Sequence, residues 1–114
     1  MRPFTLSRDT FHILVALAGC DRHGYSILQE VAARTDGKVR LSPSTLYSAI
    51  KRLLEEGLIE ELDERPDPDH DDERRRYYRL TEFGRAVAVA EAERMEQALV
   101  QARAKKLFRK PKLA

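Results

Sequence analysis

The chain has 114 residues, one cysteine, 35% charged and 42% hydrophobic residues, and a formal net charge of +2. That length supports one domain with a modest core rather than two, and the composition suits a folded helical protein rather than a disordered one. A single cysteine excludes an internal disulfide and fits a reducing, cytoplasmic setting. No run approaches the roughly 18 consecutive apolar residues of a spanning helix, so no membrane partner is expected. The charge is uneven: residues 63–76 carry seven acids against four bases, and residues 77–114 carry nine bases against four acids. Such a balance permits nucleic-acid binding without requiring it.

Ser7 is placed to cap a first helix, with Phe11, Ile13, Leu14, Leu17 and Ala18 on a wide apolar face. The stretch "FHILVALAGC" also has the outline of a bacterial lipoprotein cleavage box, in which Cys20 would be lipidated. Asp9, in a region that should be positive, and His12, inside the apolar run, argue against export. The favoured reading is a buried helix that stops at Gly19, with Cys20 as a small apolar filler. A second helix starts near His23-Gly24 and covers "YSILQEVAAR", with Ile27, Leu28, Val31 and Ala32 at helical spacing; Asp36-Gly37 ends it as a turn.

The segment "SPSTLYSAIKRLLEEGLI" is the most informative. Ser42 then Pro43 reads as N-cap and first helical residue, because proline loses nothing where its N–H would be unpaired anyway. At 100° per residue, Leu46, Ile50, Leu53 and Leu54 form one stripe. Ser44, Thr45, Ser48, Lys51 and Arg52 fall opposite, with Tyr47 on the border, and Gly57 closes the helix. A face that is small, hydroxylated and then basic suits a helix entering a DNA groove by its N-terminal end. Two β-type runs follow, residues 58–62 and 76–81, separated by a stretch rich in proline and aspartate. They predict a hairpin with a long tip.

Thr81 can cap a last helix from about Glu82 to about Arg109. Ala88, Ala92, Met95, Leu99 and Ala102 make an apolar stripe along it, and its length exceeds what the rest of the chain can cover. A long amphipathic helix without an intrachain partner calls for one from another chain, so a homodimer is expected. The chain then divides into a DNA-binding unit, residues 1–81, and a dimerisation helix with a basic tail, residues 82–114. Three helices, a two-stranded β wing and a long C-terminal helix form a mainly α protein, in the order of a winged helix-turn-helix.

The motifs "HGYSILQEV", "LSPSTLYSAIKRLLEEGLI" and "DERRRYYRLTEFGR" together resemble the PadR-type transcriptional regulators, in particular their short form with a single C-terminal helix. The resemblance runs from about residue 6 to residue 90. It departs from the family pattern twice. Ser44 stands where the family usually has glycine before Thr45-Leu46-Tyr47. The chain also has no tryptophan, which some short members use to stack planar ligands between subunits. The resemblance implies a dimeric repressor that binds double-stranded DNA at a palindromic operator and is released by a small-molecule effector. It also implies that Tyr25, beside Gly24, is a phosphate clamp.

The residues themselves agree with the DNA part. Ser42, Ser44, Thr45 and Ser48 can donate to phosphates or base edges, and Tyr47 can reach a phosphate or stack on a sugar. Lys51 and Arg52 can neutralise phosphate, and arginine can also read guanine. Arg74, Arg75 and Arg76, at the base of the hairpin, are placed for the backbone beside the recognition helix. The acids of the tip, Asp67, Asp69, Asp71 and Asp72, would stand off the DNA or fold back on those arginines. An effector pocket would lie between the first helix and the partner's long helix, lined by Phe11, Val15, Met95 and Leu99; plain dimer core is the simpler reading of the same residues. No metal-ligand spacing, phosphate loop or catalytic constellation is present, so neither a metal, a cofactor nor enzyme activity is expected. A winged-helix protein-interaction module without strong DNA binding is the alternative, with the acidic hairpin tip as its support.

Overall fold

The computed structural model describes residues 6–63 and 76–109. Four helices and three short strands follow one another: α1 (Arg8–Gly19), β1 (Arg22–His23), α2 (Gly24–Arg34), α3 (Pro43–Glu55), β2 (Ile59–Glu61), β3 (Tyr77–Leu80) and α4 (Glu82–Ala104). Every helix start carries a side-chain cap, each of the kind worth about 1 kcal/mol. Ser7 accepts from the Thr10 N–H, Ser42 from the Thr45 N–H, and Thr81 from the Gly84 N–H. At α2 the cap is the His23 imidazole, whose Nδ1 accepts the Ser26 N–H at 3.1 Å.

Three of the helices end alike. Asp36, Gly57 and Lys106 adopt left-handed φ angles of 52°, 75° and 61°. The next amide in each case reaches back to an orphan carbonyl: Gly37 to Ala32, Leu58 to Leu53 and Leu107 to Ala102, at 2.7–2.9 Å. These are the paired bonds of a Schellman ending. The last of them stops α4 at Ala104, short of the expected Arg109. The sequence holds no glycine there, and the tight ending is completed by the Arg103 guanidinium lying 5.0 Å from the Phe108 ring centroid.

The end of α1 differs. Gly19 is helical and Cys20 is extended. The orphan Ala16 carbonyl is taken by Arg22 Nε at 3.0 Å, and Arg22 Nη1 reaches the Ser26 hydroxyl at 3.0 Å. One guanidinium thus ties the end of α1 to the start of α2. The chain leaves α1 outward, so Cys20 is exposed rather than a core filler. Ala18 is also exposed; Ile13, Leu14, Ala16 and Leu17 supply the buried face.

The expected hairpin of β2 and β3 is present, antiparallel, with Ile59 opposite Leu80 and Glu61 opposite Tyr78. A third strand joins it. β1 pairs along the other side of β3, with Arg22 opposite Tyr78 and His23 opposite Tyr77, giving the order β1-β3-β2. Two residues are too few to show the period-2 pattern by which strands are recognised in sequence. The core gathers Ile13 and Leu14 of α1, Ile27 and Val31 of α2, Leu46 and Leu53 of α3, with Leu58 and Tyr78 closing it from the sheet side. Val87 and Ala88, in the early part of α4, pack on that core.

Gly84 fixes where α4 crosses the sheet. A Cβ on it would lie 1.9 Å from the Leu58 carbonyl oxygen, so the helix backbone rests directly on the start of β2. Thr81 helps hold that approach, its hydroxyl proton shared between the Gly57 and Leu58 carbonyls at 2.7 and 3.0 Å. Among the described residues no helix is long and apolar enough to cross a membrane, and no group of three or more His, Cys, Asp or Glu side chains could hold a metal ion.

Candidate nucleic-acid interface

α3 presents two unlike sides. Leu46, Ile50 and Leu53 are buried, while Ser44, Thr45, Tyr47, Ser48, Lys51 and Arg52 are all exposed on the remaining surface. The division follows from the helical repeat acting on a stripe of leucine and isoleucine: the core takes that stripe, and the polar side has nowhere to go but solvent. The burial of one side orients the other.

At the start of α3 the hydroxyls are linked. The Ser42 Oγ that caps the helix also donates to Thr45 Oγ1 at 2.9 Å and lies 3.3 Å from Ser44 Oγ. Ser42 is therefore engaged as a cap, and its contact with Thr45 leaves the Thr45 proton directed elsewhere. Ser44 adds an exposed hydroxyl to the first turn. Further along, Lys51 makes no ion pair among the described residues, whereas Arg52 Nε is held 3.1 Å from Glu56 Oε1 one turn on. An exposed pair of this kind contributes little to stability and can be exchanged for a phosphate.

Tyr47 and Tyr25 stand at the seam between α3 and the start of α2, 54% and 58% exposed. The Tyr47 ring lies across Gly24: a Cβ there would meet Tyr47 Oη at 2.9 Å and its Cε1 and Cζ at 3.2 Å. The seam continues into the sheet. Tyr78 of β3 is buried, and burial pushes its hydroxyl pKa up, with the Glu61 carboxylate adding to the rise and Arg76 opposing it. His23, which caps α2, stacks edge-on against Tyr77 with centroids 5.2 Å apart. The aromatic residues thus join α3, the start of α2 and strand β3.

Of the three wing arginines, Arg76 is described: it is exposed and 3.5 Å from Glu61 Oε1 on the facing strand. Arg74, Arg75 and the acidic tip lie outside the described residues. Arg79, on the outer side of β3, is held by Asp21 at 3.0 and 3.3 Å, and that hydrogen-bonded carboxylate raises its pKa further.

The residues expected at a dimer contact sit apart from this face. Phe11 and Val15 are half-buried on α1, and Ala88 is half-buried near the core end of α4. Ala92, Met95 and Leu99 lie exposed along α4, with Ala102 partly covered. Val89 and Val100, not included in the expected stripe, add to the exposed apolar surface. A cavity of about 230 Å³ lies elsewhere, between Leu6, Ser7 and Thr10 of the first helix region and Ala49, Arg52, Leu53 and Glu56 of α3.

Sequence reasoning missed three residues that shape this surface. His23 caps α2, Arg22 bridges α1 and α2, and Gly24 accommodates the Tyr47 ring. The signal for the last was present in a glycine at the first position of a helix, where glycine is a poor choice on propensity alone.

Comparison with known proteins agrees with this architecture. The model of the PadR-like family of transcriptional regulators matches residues 13–90. An uncharacterized protein of Lysinibacillus sphaericus is 36% identical over 66 residues, a match spanning 58% of this chain and 58% of that relative. A transcriptional regulator from Clostridium thermocellum superposes with a TM-score of 0.68 at 30% identity, covering 90% of this chain and 93% of that one. Two further structures fall below 25% identity and bear on the fold alone. A PadR family transcription regulator from Clostridium difficile has 24% identity, a TM-score of 0.66 and coverage of 89% and 98%. RosR of H. salinarum has 22% identity, a TM-score of 0.67 and coverage of 93% of both chains. The match across most of the helix-turn-helix, the wing and the start of α4 leads to one conclusion: the chain belongs to the PadR-like family of transcriptional regulators, winged-helix DNA-binding proteins that are not enzymes.

Proposed function

We propose that this protein is a cytoplasmic, homodimeric repressor that binds a palindromic operator in double-stranded DNA and is released by a small-molecule effector. The observation that carries the DNA reading is the single exposed face of α3, on which Ser44, Thr45, Tyr47, Ser48, Lys51 and Arg52 occur together. In this reading Ser44, Thr45 and Ser48 approach base edges or phosphates. Lys51 and Arg52 neutralise phosphates, Arg52 by leaving Glu56 for the DNA. Tyr25 and Tyr47 flank the groove at the start of α2, and Ser42 acts mainly through its cap. Arg74, Arg75 and Arg76 serve the backbone from the base of the wing.

Residues 1–81 form the DNA-binding unit and residues 82–114 the dimerisation helix and tail. The exposure of Met95 and Leu99 along α4 supports a partner chain covering that surface. An effector would lie between Phe11 and Val15 of one subunit and the Met95–Leu99 stretch of the other, along a surface that also holds Ala88, Ala92 and Ala102. Two half-sites one helical turn apart then match the two-fold axis of the dimer.

The test is binding to DNA selected from a random pool, measured across a salt series. Lys51→Ala should weaken binding and lower the salt slope by about one. Binding that Lys51→Ala leaves unchanged at low and high salt would remove Lys51 from the interface. Absence of any salt-dependent binding to the selected DNA would favour the protein-interaction alternative.

A further inference from the structure

Gly24 occupies the first position of α2, and its backbone is not among those with a left-handed φ; of the described glycines only Gly37 and Gly57 are. No conformational demand selects glycine there, and helix propensity favours almost any other residue. What glycine provides is room. Beyond its chain neighbours and the backbone of α2 itself, the three atoms closest to the missing Cβ all belong to the Tyr47 side chain, the nearest being Oη at 2.9 Å. A carbon atom at that distance cannot stay, so any side chain at position 24 requires the ring to move.

A side chain at position 24 would press on the ring from the start of α2, and Tyr47 is more than half exposed, so the ring has room to yield. A displaced ring shifts away from position 24 on the helix whose exposed side also carries Ser44, Ser48 and Lys51. The displacement involves the far end of one flexible side chain and no core residue, so the fold loses little by it.

We propose that Gly24 is a positioning residue for DNA recognition. By leaving the space in which the Tyr47 ring settles, it holds that ring against α2 and keeps the α3 face at the depth a DNA groove requires. Gly24 acts through Tyr47. The inference rests on the DNA-binding reading given above, and deepens it by naming what sets the shape of the reading surface.

Operator affinity and thermal midpoint should be measured for Gly24→Ala, Tyr47→Ala and the double variant, with Lys51→Ala as a control for the DNA face. In the otherwise unchanged protein, Gly24→Ala is expected to weaken operator binding about tenfold while the midpoint stays level or rises. In the Tyr47→Ala background the same substitution should change affinity less than about twofold, because the obstacle is gone. An equal loss in both backgrounds would overturn the proposal. So would wild-type affinity for Gly24→Ala, or a fall in midpoint that persists when Tyr47 is absent. If Lys51→Ala weakens binding and Gly24→Ala does not, this inference alone fails. If no salt-dependent DNA binding is found, the underlying reading fails and this inference with it.

Discussion

α3 and α4 each carry an apolar stripe, sharply set off along α3 and weaker along α4, and the chain treats the two differently. Along α3 the apolar stripe is withdrawn from water, with Leu46 at 0%, Ile50 at 3% and Leu53 at 1% exposure. Along α4 the stripe past Ala88 is left in it, with Met95 at 38% and Leu99 at 48% exposure, and Val100 beside it at 62%. α3 is satisfied by its own chain, so the surface it offers is its polar side. α4 is not, so it offers its apolar side. The contrast separates two kinds of recognition within one small protein: a hydrated, hydroxylated and basic face suited to nucleic acid, and an apolar face suited to another polypeptide.

The sharpest way to break this comparison is to truncate each stripe. Leu46→Ala should lower unfolding free energy by about 2–5 kcal/mol, read from a urea transition, because it opens a void in the core. If the proposed dimer forms through α4, Leu99→Asp should instead give a monomer by light scattering while each chain keeps its helical circular dichroism. A Leu99→Asp protein that remains dimeric would mean that α4 is not the covered surface. Next in size is Gly84→Ala. The added carbon meets the Leu58 carbonyl rather than a mobile side chain, so α4 must shift off the sheet, at a cost of about 1–3 kcal/mol in a thermal melt. It contrasts with Gly24→Ala, where the obstacle is a side chain that can yield.

The smallest effect concerns the packing of α1 on α2, beneath both faces. His12 Nδ1 lies 3.0 Å from Arg34 Nη1, and Arg34 also binds the His12 carbonyl and the Glu30 carboxylate. Burial, followed by the charges of Arg34 and Arg8, lowers the His12 pKa below its usual 6.5. The unfolded chain therefore takes up a proton at higher pH than the folded one. The contribution of neutral His12 is complete above about pH 6.5 and is lost as pH falls through the lower, folded pKa. His12→Gln should flatten the urea midpoint against pH between pH 7 and 5 relative to the unchanged protein. Identical profiles would show that His12 does not sense the fold.

Much of this architecture is legible in the chain because it depends on neighbours in sequence. Ser7, Ser42 and Thr81 cap the helices they precede, and Asp36-Gly37 and Gly57 end theirs. The α3 face needs only the helical repeat. What escaped depends on residues far apart. Strand β1 exists because β3 offers it an unpaired edge, and Arg22 matters because Ala16 and Ser26 come within its reach. The ending of α4 at Ala104 uses a lysine in a left-handed conformation, for which composition gives no warning.

Position 24 and position 84 make the division plain. The sequence by itself determined four helices, three of their caps, the polar face of α3 and an apolar stripe on a long α4, since each follows from local hydrogen bonding and the period of the helix. It also presents two helical glycines without a local reason. Only the tertiary structure decided what they are for, because the space a missing side chain leaves has meaning only when another part of the chain comes to fill it: the Leu58 carbonyl at Gly84, and the Tyr47 ring at Gly24.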